Sequence, residues 1–245
     1  RMLYLAQPKA GERLVDLGAG DGRIVIEAAK RYGTQGLGVD IDPRLVKLAT
    51  DNAKRAGVEA LATFRVQDLF ETDLRGVNVV SMYLLPEVNR QLLPRLIAQL
   101  KPGARIVSHD YDLGPWPFDE MLELALAEKM VGPLGRSRVY LWLVPADARG
   151  RWIAELPALG GRGQVDITQE FQILDVDAHA GGAPIVVRGA RLRGEELRLA
   201  VTGMVGGKGY NMLFRGKVAE ARIEGDVRVS DGESARTVPW KASRL

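Results

Sequence analysis

The sequence predicts an α/β protein: a doubly wound, mostly parallel sheet over residues 1–148, then a separate antiparallel β-module over 149–245. Three observations carry this. From Arg13 to about Pro145, near-continuous apolar strands alternate with amphipathic helices, as in a parallel sheet covered on both faces. Beyond Gly150 the helical period is lost and short alternating runs replace it. Between them, proline and glycine interrupt both patterns in PADARGRW, Pro145–Trp152, where the boundary is placed.

The elements follow in order. RLVDLG reads as a buried strand and DGRIVIEAAKRYG as a helix; GLGVDI is the second strand. DPRLVKLATDNAKRAGV is a helix ended by Gly57, with Asp42 as N-cap, Pro43 in its first turn, and Leu45, Leu48, Ala49 and Ala53 at helical spacing. ATFRVQD and VNVVSMYL are the third and fourth strands. PEVNRQLLPRLIAQLKPG is a helix closed by Pro102 and Gly103, and ARIVSHDY is the fifth strand. In the second half, ELRLAV puts Leu197, Leu199 and Val201 on one face. ARLRGEELRL and ARIEGDVRVS share a pattern read in both cases as strand, Gly-acid turn, strand. The expectation is an antiparallel meander, small sandwich or barrel. VGGKGYN, Val205–Asn211, opens no helix and reads as a hairpin loop.

Composition narrows the function. The chain of 245 residues has no cysteine and two histidines, His109 and His179. That excludes disulfides and thiolate metal sites and argues against a histidine-rich one, so no metal is expected. No apolar run approaches the ~20 residues of a membrane span. A net charge of +3 without a basic stripe in the sequence gives no expectation of nucleic-acid binding. The chain begins at Arg1 rather than methionine, so an upstream segment is expected to have been removed, which leaves open a targeting or anchoring sequence lost with it.

VDLGAGDGRI, Val15–Ile24, is the informative motif. A glycine-rich turn between a strand and its helix brings backbone N–H groups and a helix N-terminus to a ligand; Gly18 and Gly20 bend it and Gly22 opens the helix. A dinucleotide fingerprint wants a third glycine where Arg23 stands, and Asp16 would repel a pyrophosphate but attract an ammonium group. Asp40 ends the second strand and Asp68 the third. An amino-acid end near Asp16, a ribose diol near Asp40 and an adenine near Asp68 describe S-adenosylmethionine.

VDLGAGDGRIVIEAAKRYG, GVDIDPRLV, VQDLF and YLLPEVN, followed by KPGARIVSHDYDLGPW, resemble the class I S-adenosylmethionine-dependent methyltransferases. More narrowly they resemble the lysine methyltransferases of ATP synthase subunit c and the adenine nucleotide translocase, with their bacterial relatives. The resemblance covers roughly Met2–Pro145. It implies a Rossmann-like methyltransferase sheet, S-adenosyl-L-methionine as cofactor with S-adenosyl-L-homocysteine as product, and a protein substrate with a target lysine. The cofactor-binding candidates are Asp16, Gly18, Ala19, Gly20, Asp40, Ile41, Asp68, Leu69 and Tyr83. The family usually carries a proline-rich tyrosine motif before the first strand, where only RMLYLAQPKAGE stands. The module after Gly150 has no counterpart in the mitochondrial members.

Methyl transfer is an in-line displacement, and a lysine nucleophile must also lose a proton. Groups at the end of the fourth strand are placed to steer the amine. Tyr83 is the first catalytic candidate, with the carbonyls of Leu84–Pro86; Glu87 and Asp110 follow. Glu87 reads also as a first-turn helix acid, His109 as a buried polar residue or a base, and Trp116 as a cover for the sheet's end or the lining of a substrate entrance. The alternatives are a small-molecule methyltransferase and a non-catalytic binder of S-adenosylmethionine or a nucleotide. The β-module is open to holding substrate, forming an oligomer contact or stabilising the fold. An intracellular cofactor makes the cytoplasm the expected compartment.

Overall fold

Five apolar segments form parallel strands: β1 (Arg13–Leu17), β2 (Gln35–Asp40), β3 (Ala62–Val66), β4 (Val79–Met82) and β5 (Arg105–His109). The computed structural model describes residues 1–125, 135–156, 161–180, 183–205 and 207–245. These divide into units Arg1–Val144 and Pro145–Leu245.

In the first unit the strand order is β3-β2-β1-β4-β5-β7-β6. Here β6 (Glu120–Ala125) and β7 (Arg136–Leu143) add an antiparallel edge that was not read from the sequence. Every residue of β4, and all of β1 after Arg13, is buried, as strands covered on both faces must be. The order reverses between β1 and β4, so a crevice opens where their carboxyl ends diverge.

Helices α1 (Met2–Ala6), α2 (Arg23–Tyr32), α3 (Pro43–Arg55) and α4 (Pro86–Gln99) complete the unit. The cap on α3 is as expected: Asp42 Oδ1 accepts the Arg44 N–H at 2.8 Å, and Pro43 takes the first position. Its apolar face is narrower than the spacing suggested. Ala49 and Ala53 are buried, while Leu48, about 100° around the helix from Ala49, is 42% exposed. At the end of α1, the carbonyls of Ala6 and of the C-cap Gln7 accept from Arg105 Nη1 at 3.1 and 3.0 Å, and Arg105 also pairs with Glu12 at 2.6 Å.

The second unit is a closed barrel of β8 (Gly150–Leu156), β9 (Gly161–Glu170), β10 (Ile173–Ala180), β11 (Ala183–Arg193), β12 (Glu196–Val205), β13 (Lys208–Ala219), β14 (Arg222–Ser230) and β15 (Ala235–Arg244). Each strand pairs antiparallel with the next, and β15 closes on β8. Leu197, Leu199 and Val201 face inward together, packed with Trp152, Phe214 and Trp240. Val205 ends β12 and Lys208 begins β13; Gly206 of the VGGKGYN stretch lies outside the described residues.

The two look-alike segments separate. ARLRGEELRL does turn at Gly194, whose φ is 58°, but ARIEGDVRVS does not: Glu224, Gly225 and Asp226 lie mid-strand in β14. Gly225 is glycine because of a close approach. A Cβ there would stand 2.0 Å from the Arg215 carbonyl and 2.7 Å from Gly216 Cα. Trp240 packs over the same place and its indole Nε1 donates to the Arg215 carbonyl at 2.9 Å. Glycine here lets the wall bend around a large aromatic. Gly225→Ala should therefore destabilise the barrel by about 3 kcal/mol through overpacking. Urea unfolding followed by tryptophan fluorescence checks this, against Gly161→Ala as a control with open space at its Cβ.

Candidate active site

The turn from β1 to α2 is held in a left-handed path, with φ of 77° at Gly18, 55° at Gly20 and 79° at Gly22, the N-cap of α2. Space constrains it too: a Cβ on Gly18 would meet Leu84 Cδ2 at 2.8 Å, and one on Gly22 would meet the Phe64 ring at 2.6 Å. The N–H groups do not form the ligand cradle expected from the motif. Those of Gly18 and Ala19 both donate to the Val39 carbonyl at 2.9 Å, that of Gly22 to Ala19, and that of Arg23 to Asp21. With its donors used internally, the turn lacks the anion-binding character of a pyrophosphate loop.

Asp40, at the end of β2, staples this turn. Its Oδ2 accepts the Gly20 N–H and its Oδ1 the Asp42 N–H, both at 3.0 Å. Each oxygen keeps a lone pair for a further donor, the disposition a ribose diol requires. Asp68 is exposed and caps the short 3-10 turn Leu69–Glu71, accepting the Phe70 N–H at 2.8 Å. Ile41 is 76% exposed beside Asp40.

Asp16 lies opposite Ser81 in the β1–β4 ladder, buried, with Oδ1 accepting the Ser81 hydroxyl at 2.6 Å. Burial pushes its pKa from 3.8 up to about 7; Asp21 and Asp40 push the same way and the Ser81 bond opposes them. A buried acid in this state favours a cationic neighbour, which fits the ammonium of the amino-acid end of S-adenosylmethionine. The adjoining cavity has a volume of about 710 Å³ and is lined by Asp16, Gly18, Ala19, Gly20, Tyr83 and His109, among others. Asp40, Ile41, Asp68 and Leu69 are outside that lining, at the ends of β2 and β3.

Tyr83 follows β4 and is 42% exposed. Its hydroxyl donates to Asp110 Oδ2 at 3.1 Å, and its ring centroid lies 4.3 Å from that of His109 and 6.5 Å from that of Tyr111. Burial, then the Asp110 hydrogen bond and charge, raise the Tyr83 pKa, so it stays a phenol. Asp110 is buried and holds φ at 64°, a left-handed conformation that aspartate tolerates better than most residues. Its Oδ1 accepts the Ser137 hydroxyl and the Arg138 N–H, each at 3.0 Å, and its own N–H donates to the Arg138 carbonyl at 2.7 Å. Ser137 also bonds His109 Nε2. Asp110 thus reaches the cavity through Tyr83 and Ser137, both of which line it. Glu87 stands exposed in the first turn of α4, outside the cavity lining. Trp116 is buried and its carbonyl accepts from Trp142 Nε1 at 2.9 Å.

Three residues were missed from the sequence: Ser81, Ser137 and Asn89. Asn89 is fully buried on α4, donating from Nδ2 to the Tyr111 and Asp112 carbonyls at 3.3 and 3.1 Å. Ser108 Oγ donates to the Tyr111 carbonyl at 2.6 Å, so the loop after β5 is held from two sides. Asn89 did carry a signal, as a polar residue at the helical spacing of buried Leu92, Leu93 and Leu96.

The profile of the family described as the ANTKMT methyltransferase domain matches residues 16–120. A protein-lysine N-methyltransferase of Saccharolobus islandicus is 38% identical over 125 residues, 51% of this chain and 78% of that protein. The adenine nucleotide translocase lysine N-methyltransferase of Mus musculus is 40% identical over 115 residues; the chain spans 50% of its length, the match covering 47% of this chain. A crystal structure of a Salinibacter ruber protein described as an RNA methyltransferase, in complex with S-adenosyl-L-homocysteine, is 49% identical with a TM-score of 0.52. It covers 58% of this chain and 87% of that one. The chain belongs to this methyltransferase family, and S-adenosylmethionine is its cofactor.

Two outcomes are expected. If Asp40 holds the ribose, Asp40→Ala, which also removes the staple on Gly20, should weaken S-adenosylhomocysteine binding about a hundredfold, about 2.7 kcal/mol. Asp42→Ala, which loses the α3 cap and the exposed Arg44 ion pair, should stay within about threefold; calorimetry distinguishes them. The second concerns protons. Because the Asp16 pKa is raised to about 7, the unliganded fold keeps that proton below pH 7. A cationic ligand must expel it, so affinity should rise as pH climbs toward 7, by up to about tenfold per unit, and level off above. Calorimetry at pH 6 in two buffers of different ionisation enthalpy should show a proton released on binding, and Asp16→Asn should abolish that release.

Proposed function

We propose that this protein transfers a methyl group from S-adenosylmethionine to a lysine side chain of a protein substrate. The observation that carries the reading is the Tyr83–Asp110 pair at the edge of the cofactor cavity. The curated relatives named as protein-lysine methyltransferases support it.

Bound S-adenosylmethionine supplies an electrophilic methyl on its sulfonium. The chain's own residues have to present an uncharged amine in line with it. Tyr83, His109 and Tyr111 offer aromatic faces that attract a cationic amine as it arrives. The Tyr83 hydroxyl donates to Asp110, which leaves its oxygen free to accept from the amine and aim the nitrogen lone pair. Asp110, held by Ser137 and Arg138, locks the phenol's orientation and adds negative potential behind it. The half-exposed position of Tyr83 gives the departing proton a path to water.

A second reading keeps the cofactor and takes RNA as acceptor, because the Salinibacter ruber relative is described as an RNA methyltransferase. Labelled methyl from the cofactor, incubated with a lysate, separates the two. A gel band that survives ribonuclease, is lost to protease and maps to methyl-lysine by mass spectrometry is the expected result. A ribonuclease-sensitive label would replace the first reading with the second. Tyr83→Phe should lower kcat and kcat/KM together by about a hundredfold, while S-adenosylhomocysteine affinity stays within about twofold.

A further inference from the structure

The barrel assembles a basic row that is scattered in the sequence. Arg191 on β11 lies directly opposite Arg198 on β12, and Arg198 directly opposite Arg215 on β13. All three are exposed on the outer wall. Strands lie about 4.8 Å apart, so the row spans about 10 Å. Like charges directly opposite across strands are destabilising.

The adjacent rung shows what this barrel does when charges are balanced within it. There Arg193, Glu196, Lys217, Glu224, Lys241 and Glu155 alternate in sign across successive strands. Lys241 pairs with Glu155 at 3.1 Å, and Lys217 with the neighbouring Glu195 at 2.9 Å. Among the described residues, Arg198 alone in the arginine row touches a carboxylate, Glu196 of its own strand at 3.3 Å, an exposed contact of little worth. Asp226 stands opposite Arg215 without an ion pair among the described residues. Arg188, at the β-bulge of β11, and Arg228, opposite Leu213, extend the positive charge on the same wall.

We propose that this wall docks the phosphodiester backbone of a nucleic-acid strand. Regularly spaced guanidiniums meet regularly spaced anions, and each fork fits a phosphate through two parallel hydrogen bonds. The outward residues next along β12 and β13 are Ala200, Thr202, Asn211 and Leu213. These provide no aromatic platform for bases, so the surface reads charge and not sequence. Leu213 beside the row, and Val186 and Met204 farther along the same strands, are exposed apolar side chains, so the test below includes a lipid surface as an outcome.

The test is fluorescence anisotropy of a labelled uridine 20-mer with the full chain. Binding with a Kd of about 1–100 μM is expected at 50 mM salt. With three phosphates neutralised, log K should fall with log salt at a slope of about −2, close to a 20-fold loss between 50 and 200 mM. The variant carrying Arg191→Gln, Arg198→Gln and Arg215→Gln should lose at least tenfold in affinity and most of that slope. It should bind S-adenosylhomocysteine like the wild type. Removing repulsion should leave its melting temperature equal or higher; should it not fold, each single Arg→Gln variant should lose about one contact's worth of slope. No binding of the 20-mer at 50 mM salt, or binding that the variants retain, overturns the proposal. So does tighter binding of polyglutamate or of phosphatidylserine vesicles than of the 20-mer, which would assign the wall to an acidic protein or to a membrane.

Discussion

A carboxylate is buried where the parallel sheet changes direction, and the rest of the catalytic unit is arranged around it. Asp16 and Ser81 face each other across β1 and β4, the pair of strands at which the order reverses. Among the described residues, one hydroxyl, that of Ser81, hydrogen-bonds this acid. Burial drives it toward the neutral form, and ionisation becomes favourable when a cation sits beside it. The glycine turn that follows is too cramped for side chains at Gly18 and Gly22, and its donors are tied back to Val39 and Asp40. A site with a latent negative charge and few free N–H donors selects a cationic ligand over a phosphate.

The second buried carboxylate has a different task because its surroundings differ. Asp110 accepts from Ser137, Arg138 and Tyr83, on a backbone turned into the left-handed region. Its neighbours satisfy it, so its influence passes through the phenol it holds. The loop bearing it is pinned by Asn89 and Ser108. Among the described residues Asn89 Oδ1 is buried without a hydrogen-bond partner, so the contact is kept at a cost of about 1–3 kcal/mol of unsatisfied acceptor. Such a cost is tolerated where a backbone segment must be held in one place.

The barrel follows different rules. Its inward positions alternate with outward ones as strand periodicity demands, and the inner set is apolar. Closure imposes the close approach at Gly216 and Gly225, over which Trp240 packs. Closure also decides which charges become neighbours. One rung came out alternating and the next came out positive on three strands.

By itself the sequence determined the parallel strands and their helices, because apolar periodicity and capping residues such as Asp42 and Pro43 act over a few residues. It also determined the cofactor class, because Asp16, the glycines and Asp40 sit at strand ends whose place in the sheet follows from chain order. What depends on distant segments meeting was not legible. The partners of Asp16 and Asp110, Ser81 and Ser137, arrive 65 and 27 residues away. Gly225 looked like a turn residue, because glycine beside acids marks turns locally; its real constraint comes from Arg215 and Trp240 on neighbouring strands. The arginine row was invisible for the same reason. Arg191, Arg198 and Arg215 share no local pattern in the chain, and only strand register sets them side by side.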